Sequence, residues 1–274
     1  RQNEWAAVHE LQPALPYPSV DTLRGYGEWG TGWAHSFVPE QRAYWSAIAE
    51  LPPQIDALFI APWLRTGGAD LLTMQYIASV QRSRPDAKIA IITTEAEPST
   101  RLGELDGVSV FELGAFNLLP QFGVRVLGTL IAQLRPGTVH VVNSTLGYDV
   151  LDRYGYPLRA HSNLFVSTYV VDQLPDGTHW TFLHHRSPDF YNKISAVLTD
   201  NVKIGARLAS AEGAPLEAFV VHRAVADDVF RERTSPKRPL RVVWAGRFDR
   251  QKRLDRLVPI ARMLQDADVE FDVY

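Results

Sequence analysis

The chain alternates two kinds of segment from residue 55 to about residue 221: short apolar runs, and stretches in which apolar residues recur every three or four positions. The first kind is typical of buried strands, and the second of helices that pack on a sheet. The predicted strands are residues 57–61, 88–93, 108–113, 139–142, 164–169, 196–198 and 218–221, and the predicted helices are 69–81, 122–134, 146–154 and 202–210. This alternation predicts an α/β fold with one doubly wound parallel sheet that carries helices on both faces.

Composition sets the outer limits on this fold. Of the 274 residues, 46% are hydrophobic, which is enough for the core of one large or two medium domains. The net charge of −3 provides no broad basic field, so nucleic acid is not expected as a partner. The absence of cysteine excludes disulfides and thiolate metal sites and agrees with a cytoplasmic location. No signal peptide or membrane span is predicted, and a chain that starts at Arg1 is expected to be a piece of a longer protein.

A basic motif lies near the end of the chain. The strand-like run 240–245 leads into Gly246 and Arg247, and Lys252 follows five residues after the arginine. A helical apolar pattern then continues to residue 264, although Pro259 is expected to kink or shorten that helix. Ligands of open α/β sheets bind beyond the carboxyl ends of strands. At the end of this strand, the guanidinium of an arginine, the ammonium of a lysine and the free N–H groups of a helix start can all bind phosphate oxygens.

A glycine pair follows the first predicted strand. Gly67 and Gly68 come directly before the first helix of the alternating region. Glycine there permits a positive φ and leaves room for a bound group beside the helix N-terminus. The Gly-x-Gly-x-x-Gly pattern of dinucleotide-binding enzymes is absent, which lowers the case for a dehydrogenase.

Taken together, the two motifs resemble those of family-4 type retaining glycosyltransferases of GT-B fold. In that family, a strand ending in Gly-Arg and a lysine before the next helix open the donor-sugar domain, and a Gly-Gly loop follows the first strand of the acceptor-type domain. The resemblance implies that Gly246, Arg247 and Lys252 hold the diphosphate of the donor, and that Gly67 and Gly68 shape the cleft between the domains.

The resemblance has two departures and one coincidence. Arg253 stands where the family usually has glycine, and Asp70 where it commonly has glutamate. Glu104 and Glu112 have the spacing of the family's glutamate pair, but they flank a predicted strand of the first domain and are read as surface carboxylates. The genuine pair is expected beyond residue 274.

The sequence pattern, together with this resemblance, predicts that the chain has four parts. Residues 1–53 form an N-terminal arm, predicted to pack on the main domain through aromatic anchors such as Trp45; a tryptophan platform for sugars is the alternative. Residues 54–230 are the acceptor-type Rossmann-like domain, and 231–239, with two prolines and several basic residues, are a linker. Residues 240–274 are the start of the donor domain, a β-α-β unit expected to be truncated.

Three polar clusters have two interpretations each. His184, His185 and Arg186 lie in a polar loop that either contacts the acceptor or is a plain surface loop. The clusters 143–145 and 199–201 follow predicted strands, so they suit either ligand contact or the capping of the next helix. Capping is the favoured interpretation for both.

The resemblance implies a function in polysaccharide biosynthesis. It implies transfer of a sugar from a nucleotide-sugar to a glycan or lipid-linked acceptor with retention, without a metal or other cofactor. The implied partners are the donor, the acceptor, the surface of a membrane and the other domains of a longer parent chain, and the piece itself is expected to be inactive. Two alternatives remain: a non-catalytic sugar- or partner-binding module on a GT-B-like scaffold, and a nucleotide-sugar epimerase of GT-B architecture.

Overall fold

The computed structural model describes residues 31–169, 171–174, 178–184, 186–222, 240–246, 252–267 and 269–274, and only the backbone at 31–38, 173, 179, 212 and 240. The helices are α1 Thr31–Glu50, α2 Gly68–Ser83, α3 Pro120–Leu134, α4 Thr145–Arg159, α5 Pro188–Lys193, α6 Val202–Glu212 and α7 Leu254–Met263. The strands are β1 Ala57–Ala61, β2 Ile89–Thr93, β3 Val108–Glu112, β4 Thr138–Val142, β5 Asn163–Ser167, β6 Asp172–Gln173, β7 His179–Trp180, β8 Ala196–Thr199, β9 Phe219–Val221, β10 Leu240–Trp244 and β11 Val269–Val273.

A seven-stranded sheet organises the larger part of the molecule. Its strand order is β3-β2-β1-β4-β5-β8-β9, and every neighbouring pair runs parallel. From β1 the chain moves outward through β2 to β3 and then returns across the sheet to β4, so the direction of winding reverses between β1 and β4. Such a reversal opens a crevice at the carboxyl ends of the two strands. The predicted fold class, a doubly wound parallel α/β sheet, is confirmed.

The two faces of the sheet follow directly from the alternation of side chains along each strand. In β1, Leu58 and Ile60 belong to a large core that also takes in the buried residues of α3 and α4. Phe59 points to the other face, where a smaller core includes Ile77 of α2. Because both faces are covered, every residue of β1 and β2 is buried, and these two strands lack the polar alternation of a half-exposed strand.

The segment between β5 and β8 was not predicted. It contains the antiparallel pair β6–β7 and the short helix α5. Strands of two residues and a helix of six residues are too short to show a period in the sequence. This segment nevertheless reaches the carboxyl edge of the sheet, where it contributes side chains to the cavity described below.

Helix α1 packs on the main core, although the sequence placed it in the N-terminal arm. Ala43 and Ala47 are fully buried in the same cluster as the sheet residues. The carboxylate of Glu40 accepts hydrogen bonds from Nε and Nη2 of Arg125 at 3.0 and 2.7 Å. The anchor expected at Trp45 is wrong, since that side chain is 64% exposed. Trp5 and Trp29, which the sequence also offered as aromatic anchors, lie in residues 1–30, outside the described residues, and only the backbone of Trp33 is described.

The strands β10 and β11 form a separate two-stranded parallel sheet joined by α7. Helix α7 continues past Pro259 to Met263, so the proline does not end the helix. This unit is the second β-α-β unit that the sequence predicted. The predicted boundaries at residues 230 and 239 fall within 223–239, outside the described residues, and stay predictions.

Candidate functional site

A cavity of about 950 Å³ opens at the carboxyl edge of the seven-stranded sheet. Its floor includes Ala61, the last residue of β1, together with Val142 and Asn143 at the end of β4. These are the two strands between which the winding reverses, so the cavity lies at the crevice where open α/β sheets bind ligands. The topology of the backbone thus creates the space, and the loops after the strands supply its walls.

Gly67 and Gly68 both line this cavity, as the sequence suggested. Of the two properties of glycine considered there, the site does not use positive φ: Gly67 has φ −167°, an extended conformation open to any residue, and Gly68 is helical. What glycine provides is space, because a Cβ atom on Gly68 would meet no protein atom within 4 Å. Gly67 is the N-cap of α2 and no side chain caps this helix. The first-turn N–H groups therefore face a site that a ligand can occupy.

Asp70 fixes the loop that carries this glycine pair. It is 9% exposed and lies in the first turn of α2. Its Oδ2 atom accepts a hydrogen bond from the backbone N–H of Arg65 at 3.2 Å. Burial raises the pKa of Asp70, and the hydrogen bond from Arg65 and the positive charges of Arg101 and Arg65 oppose that rise. The carboxylate thus holds the loop against the helix start rather than serving as a freely accessible base.

Lys252 lines the same cavity as the Gly-Gly loop. Gly246 lies against this lysine, since a Cβ atom added to the glycine would sit 3.5 Å from Cγ and Cδ of Lys252. The two ends of the basic motif are therefore adjacent, and one of them reaches the cavity wall formed by the first domain. Arg247, the central residue of the motif, lies outside the described residues, so its phosphate contact stays a prediction.

Arg253 adopts the conformation that glycine would adopt most easily. Its φ of 54° and ψ of 41° place it in the left-handed region, directly before helix α7. A residue with a Cβ atom is strained there, and glycine is not. Its guanidinium forms two hydrogen bonds to Asp255, at 2.9 and 2.7 Å, which offset part of that cost. Arginine in place of glycine at this position is therefore accommodated by a strained backbone and a local ion pair.

After β4 and after β8, one residue caps the following helix and an adjacent residue lines the cavity. After β4, Ser144 caps helix α4 by accepting a hydrogen bond from the N–H of Gly147 at 3.0 Å, whereas Asn143 and Thr145 line the cavity. After β8, the side chain of Asn201 caps α6 and its neighbour Asp200 lines the cavity. The sequence favoured capping for each whole cluster. The structure assigns the cap to one residue of each cluster and turns an adjacent residue toward the cavity.

Aromatic rings and carboxylates form most of the remaining wall. Trp180 and Phe182 come from the unpredicted segment after β6, with ring centroids 4.8 Å apart, and Phe182 stacks on buried Tyr148 at 5.4 Å. Among the described lining residues the aromatic ones are Trp63, Tyr169, Trp180 and Phe182, the acidic ones are Asp70, Glu95, Glu97, Asp172 and Asp200, and the basic ones are Arg65 and Lys252. Aromatic faces and carboxylate oxygens suit a polyhydroxylated ligand, because the rings cover C–H surface and the oxygens accept hydroxyl hydrogens.

Acceptor contact was one of two interpretations of the loop that contains His184, His185 and Arg186. Neither His184 nor Arg186 lines this cavity. Arg186 is 17% exposed and binds two carboxylates of helix α4, with Nη2 2.7 Å from Asp149 and Nη1 2.9 Å from Asp152. These contacts hold the loop against α4. The charge of the guanidinium is therefore balanced within the protein. His185 lies outside the described residues, and its contact stays a prediction.

A buried histidine lies in the sheet below the cavity. His140 of β4 is 5% exposed, and its Nε2 atom is 2.6 Å from Oγ of Ser167 on β5. Burial lowers the pKa of His140 to about 3, so the ring is neutral at physiological pH. The hydroxyl of Tyr169, which lines the cavity, donates a hydrogen bond to the hydroxyl of Tyr76 at 3.1 Å, and Tyr76 is hydrogen-bonded to His222. These polar groups tie the cavity floor to the end of β9.

His140 makes the stability of the fold depend on pH. An unfolded histidine titrates near pH 6.5, so between about pH 6.5 and pH 3 the unfolded chain binds a proton that the folded chain rejects. The free energy of unfolding should therefore fall by up to about 1.4 kcal/mol for each pH unit lost in that window. Urea unfolding between pH 7 and pH 4 measures this slope. His140→Gln should have a shallower slope, whereas the exposed-site control His161→Gln should not.

NMR titration of the native protein provides a second measurement that does not require the variant to fold. The ring signals of His140 should show no protonation between pH 7 and pH 5. A midpoint near 6.5 for that ring, or identical slopes in native protein and His140→Gln, would contradict the assignment.

Within the described ranges, no group of three or more histidine, aspartate or glutamate side chains is placed to hold a metal ion. The helices of the same ranges include none with the length and apolar character needed to cross a membrane.

The fold is similar to that of the lipopolysaccharide outer core galactosyltransferase WaaB in its apo form. The two structures superpose with a TM-score of 0.51 at 13% sequence identity, over 80% of this chain and 68% of that chain. No family model matches the sequence, and no curated protein matches it. The likeness therefore establishes a shared α/β fold of Rossmann-like type and does not extend to the reaction.

Proposed function

We propose that this protein is a retaining glycosyltransferase of family-4 type, which transfers a sugar from a nucleotide-sugar to a glycan or lipid-linked acceptor. One observation carries the proposal: Lys252 of the basic motif and the Gly67-Gly68 loop, far apart in the chain, line the same cavity. The cavity lies at the winding reversal of the sheet, and the fold is shared with a galactosyltransferase. These are the positions that the family resemblance requires for the two motifs.

The phosphate half of the proposed site consists of Lys252, Arg247 and the start of α2. A lysine is a mobile point charge and an arginine is a two-pronged donor, so together they match a diphosphate. The open space above Gly68 lets phosphate oxygens approach the first-turn N–H groups of α2. As the bond to the sugar breaks, negative charge grows on the leaving diphosphate. The same groups then stabilise the transition state more than the ground state.

The sugar half of the proposed site consists of the aromatic and acidic wall. Trp63 and Trp180 are half-buried and line the cavity, and an aromatic ring there can cover the C–H surface of a sugar. Asp200 and Asp172 supply oxygens that accept hydrogen bonds from sugar hydroxyls. A volume of about 950 Å³ lies at the upper end of the usual range for ligand sites, which suits a donor and an acceptor bound together.

A transfer assay on the full-length protein tests the proposal, since the piece itself is expected to be inactive. The protein is incubated with UDP-, GDP- and ADP-sugars and with saccharide and lipid-linked acceptors, and release of nucleoside diphosphate is measured. We expect acceptor-dependent release, with a product whose anomeric proton shows by NMR the configuration of the donor.

Each alternative has its own outcome in this assay. Donor binding without release would favour a non-catalytic module, and interconversion of nucleotide-sugars without an acceptor would favour an epimerase. Inversion of the anomeric centre would leave a glycosyltransferase but exclude retention.

A further inference from the structure

A second cavity of about 350 Å³ adjoins the main cavity on the other side of the loop that follows β2. Both cavities are lined by Glu95 and Thr145, so they share part of their walls. The second cavity lies between the ends of β2 and β3 and the first turns of α3 and α4. Its volume is at the lower end of the range for ligand sites and fits about one sugar ring.

The wall of the second cavity is polar on one side and apolar on the other. Glu95 and Asp149 contribute carboxylates, and Leu118 and Leu146 contribute aliphatic surface. Among its described lining residues there is no lysine, arginine or histidine. A phosphate or a uronate bound here would lie beside two acidic residues, of which Asp149 is paired with Arg186, and Arg186 itself is not a lining residue, so binding of an anion is unfavourable. A lipid chain would bury the Glu95 carboxylate against apolar surface, which is also costly.

The polar side of this cavity is held in place by the surrounding structure. Arg186 lies behind Asp149, with Nη2 2.7 Å from its Oδ1, and so fixes that carboxylate. The floor is rigid because Gly114 touches the backbone at residue 95: an added Cβ atom would lie 1.9 Å from the carbonyl oxygen of Glu95. Acceptor groups fixed before binding lose little freedom when a ligand arrives.

We propose that the second cavity binds the acceptor sugar next to the one that receives the transferred unit, and that it selects neutral or amino sugars over acidic ones. This inference rests on the proposed glycosyltransferase function. The carboxylates of Glu95 and Asp149 accept hydrogen bonds from hydroxyl or ammonium groups, and the leucines cover the C–H face of the ring. The preferred acceptor therefore has at least two sugar units.

Ala96→Trp blocks the proposed subsite with little risk to folding. Ala96 is exposed and lines only the second of the two cavities. The matched control is Ala206→Trp, at an exposed position of α6 that lines neither cavity. The probes are the monosaccharides and β-1,4-linked disaccharides of glucose, mannose, glucosamine and glucuronic acid. Their binding to the intact protein is measured by saturation-transfer NMR and calorimetry.

A neutral or amino disaccharide should bind at least about tenfold more tightly than its monosaccharide, and at least about tenfold more tightly than the glucuronic acid disaccharide. Ala96→Trp should remove the advantage of the disaccharide, and Ala206→Trp should keep it. Equal loss in both variants, no loss in Ala96→Trp, a preference for the acidic disaccharide, or no binding by any neutral or amino disaccharide would each overturn the proposal.

Titration of UDP, GDP and ADP into the same samples separates this inference from the function on which it rests. Ala96→Trp should leave nucleoside diphosphate affinity unchanged, because Lys252 lies on the main cavity only. Disaccharide binding that follows the expected pattern in a protein with no affinity for any nucleoside diphosphate would refute the transferase and keep the saccharide subsite. Diphosphate binding without saccharide selectivity would refute the subsite alone.

Discussion

Lys252→Ala should weaken the binding of a nucleoside diphosphate by about ten- to a hundredfold, since one charge-assisted contact contributes about 1.5–3 kcal/mol. The lysine lines the cavity at the winding reversal, together with Gly67 and Gly68 at the start of α2. The charge of a cation that faces this helix start adds to the positive end of the helix dipole. Removing that cation therefore weakens the attraction for the phosphates directly. Arg247→Ala should act in the same direction through the loss of a bidentate contact.

Stability should change little in Lys252→Ala, because the side chain is exposed. Calorimetric titration of UDP, GDP and ADP into the intact protein measures the effect. Lys203→Ala is the matched control: it removes an exposed lysine from α6 that lines neither cavity. If diphosphate affinity is the same in Lys252→Ala, Arg247→Ala and the control, the donor-phosphate role is refuted and the motif is an ordinary strand–loop–helix.

Gly114→Ala should cost about 3 kcal/mol or more of unfolding free energy. Gly114 lies in the short 3₁₀ helix Leu113–Phe116 after β3, against the backbone at Glu95. A Cβ atom would come within 1.9 Å of the carbonyl oxygen of Glu95, 2.2 Å of its carbonyl carbon and 2.7 Å of its nitrogen. All three are backbone atoms, so no side-chain rotation can relieve the clash, and the loop after β2 has to move.

Gly103→Ala is the matched control, because a Cβ atom there meets no atom within 4 Å. Thermal and urea unfolding should show a loss of about 6–12 °C in Tm for Gly114→Ala, and a change near zero for Gly103→Ala. Equal midpoints in the two variants would show that the loops at residues 95 and 114 are not in backbone contact. The second cavity would then lack the rigid floor that its selectivity requires.

The elements of the main sheet could be predicted because their signal is local. In β1, five consecutive apolar residues between turn residues indicate a strand covered on both faces, and the predicted bounds Ala57–Ala61 are the observed ones. The amphipathic pattern of α3 likewise placed Leu127 and Leu130 in the core. The β6–β7 pair and α5 could not be found in this way, because their short segments contain no complete period.

The candidate site was predicted in part. The two glycine-containing motifs pointed to positions that line or adjoin one cavity, since ligand sites of parallel sheets lie at strand ends. Of the two properties that glycine offers at residues 67 and 68, the structure shows the open space at Gly68 and no positive φ. Arg186 was a candidate because it is a charged residue in a polar loop. In the structure its charge is balanced by two carboxylates of α4, which are distant in sequence.

The sequence by itself determined the order of the strands and helices of the main sheet, its parallel pairing and the edge at which a ligand site is expected, because these follow from periodicity and from the chirality of βαβ connections. Only the tertiary structure decided which polar residue after each strand caps a helix and which faces the cavity, as Ser144 and Asn143 show. It also decided that Trp180, Lys252 and the Gly-Gly loop share one cavity. The physical reason is that burial, charge pairing and cavity shape arise from contacts between residues far apart in the chain, which no local pattern records.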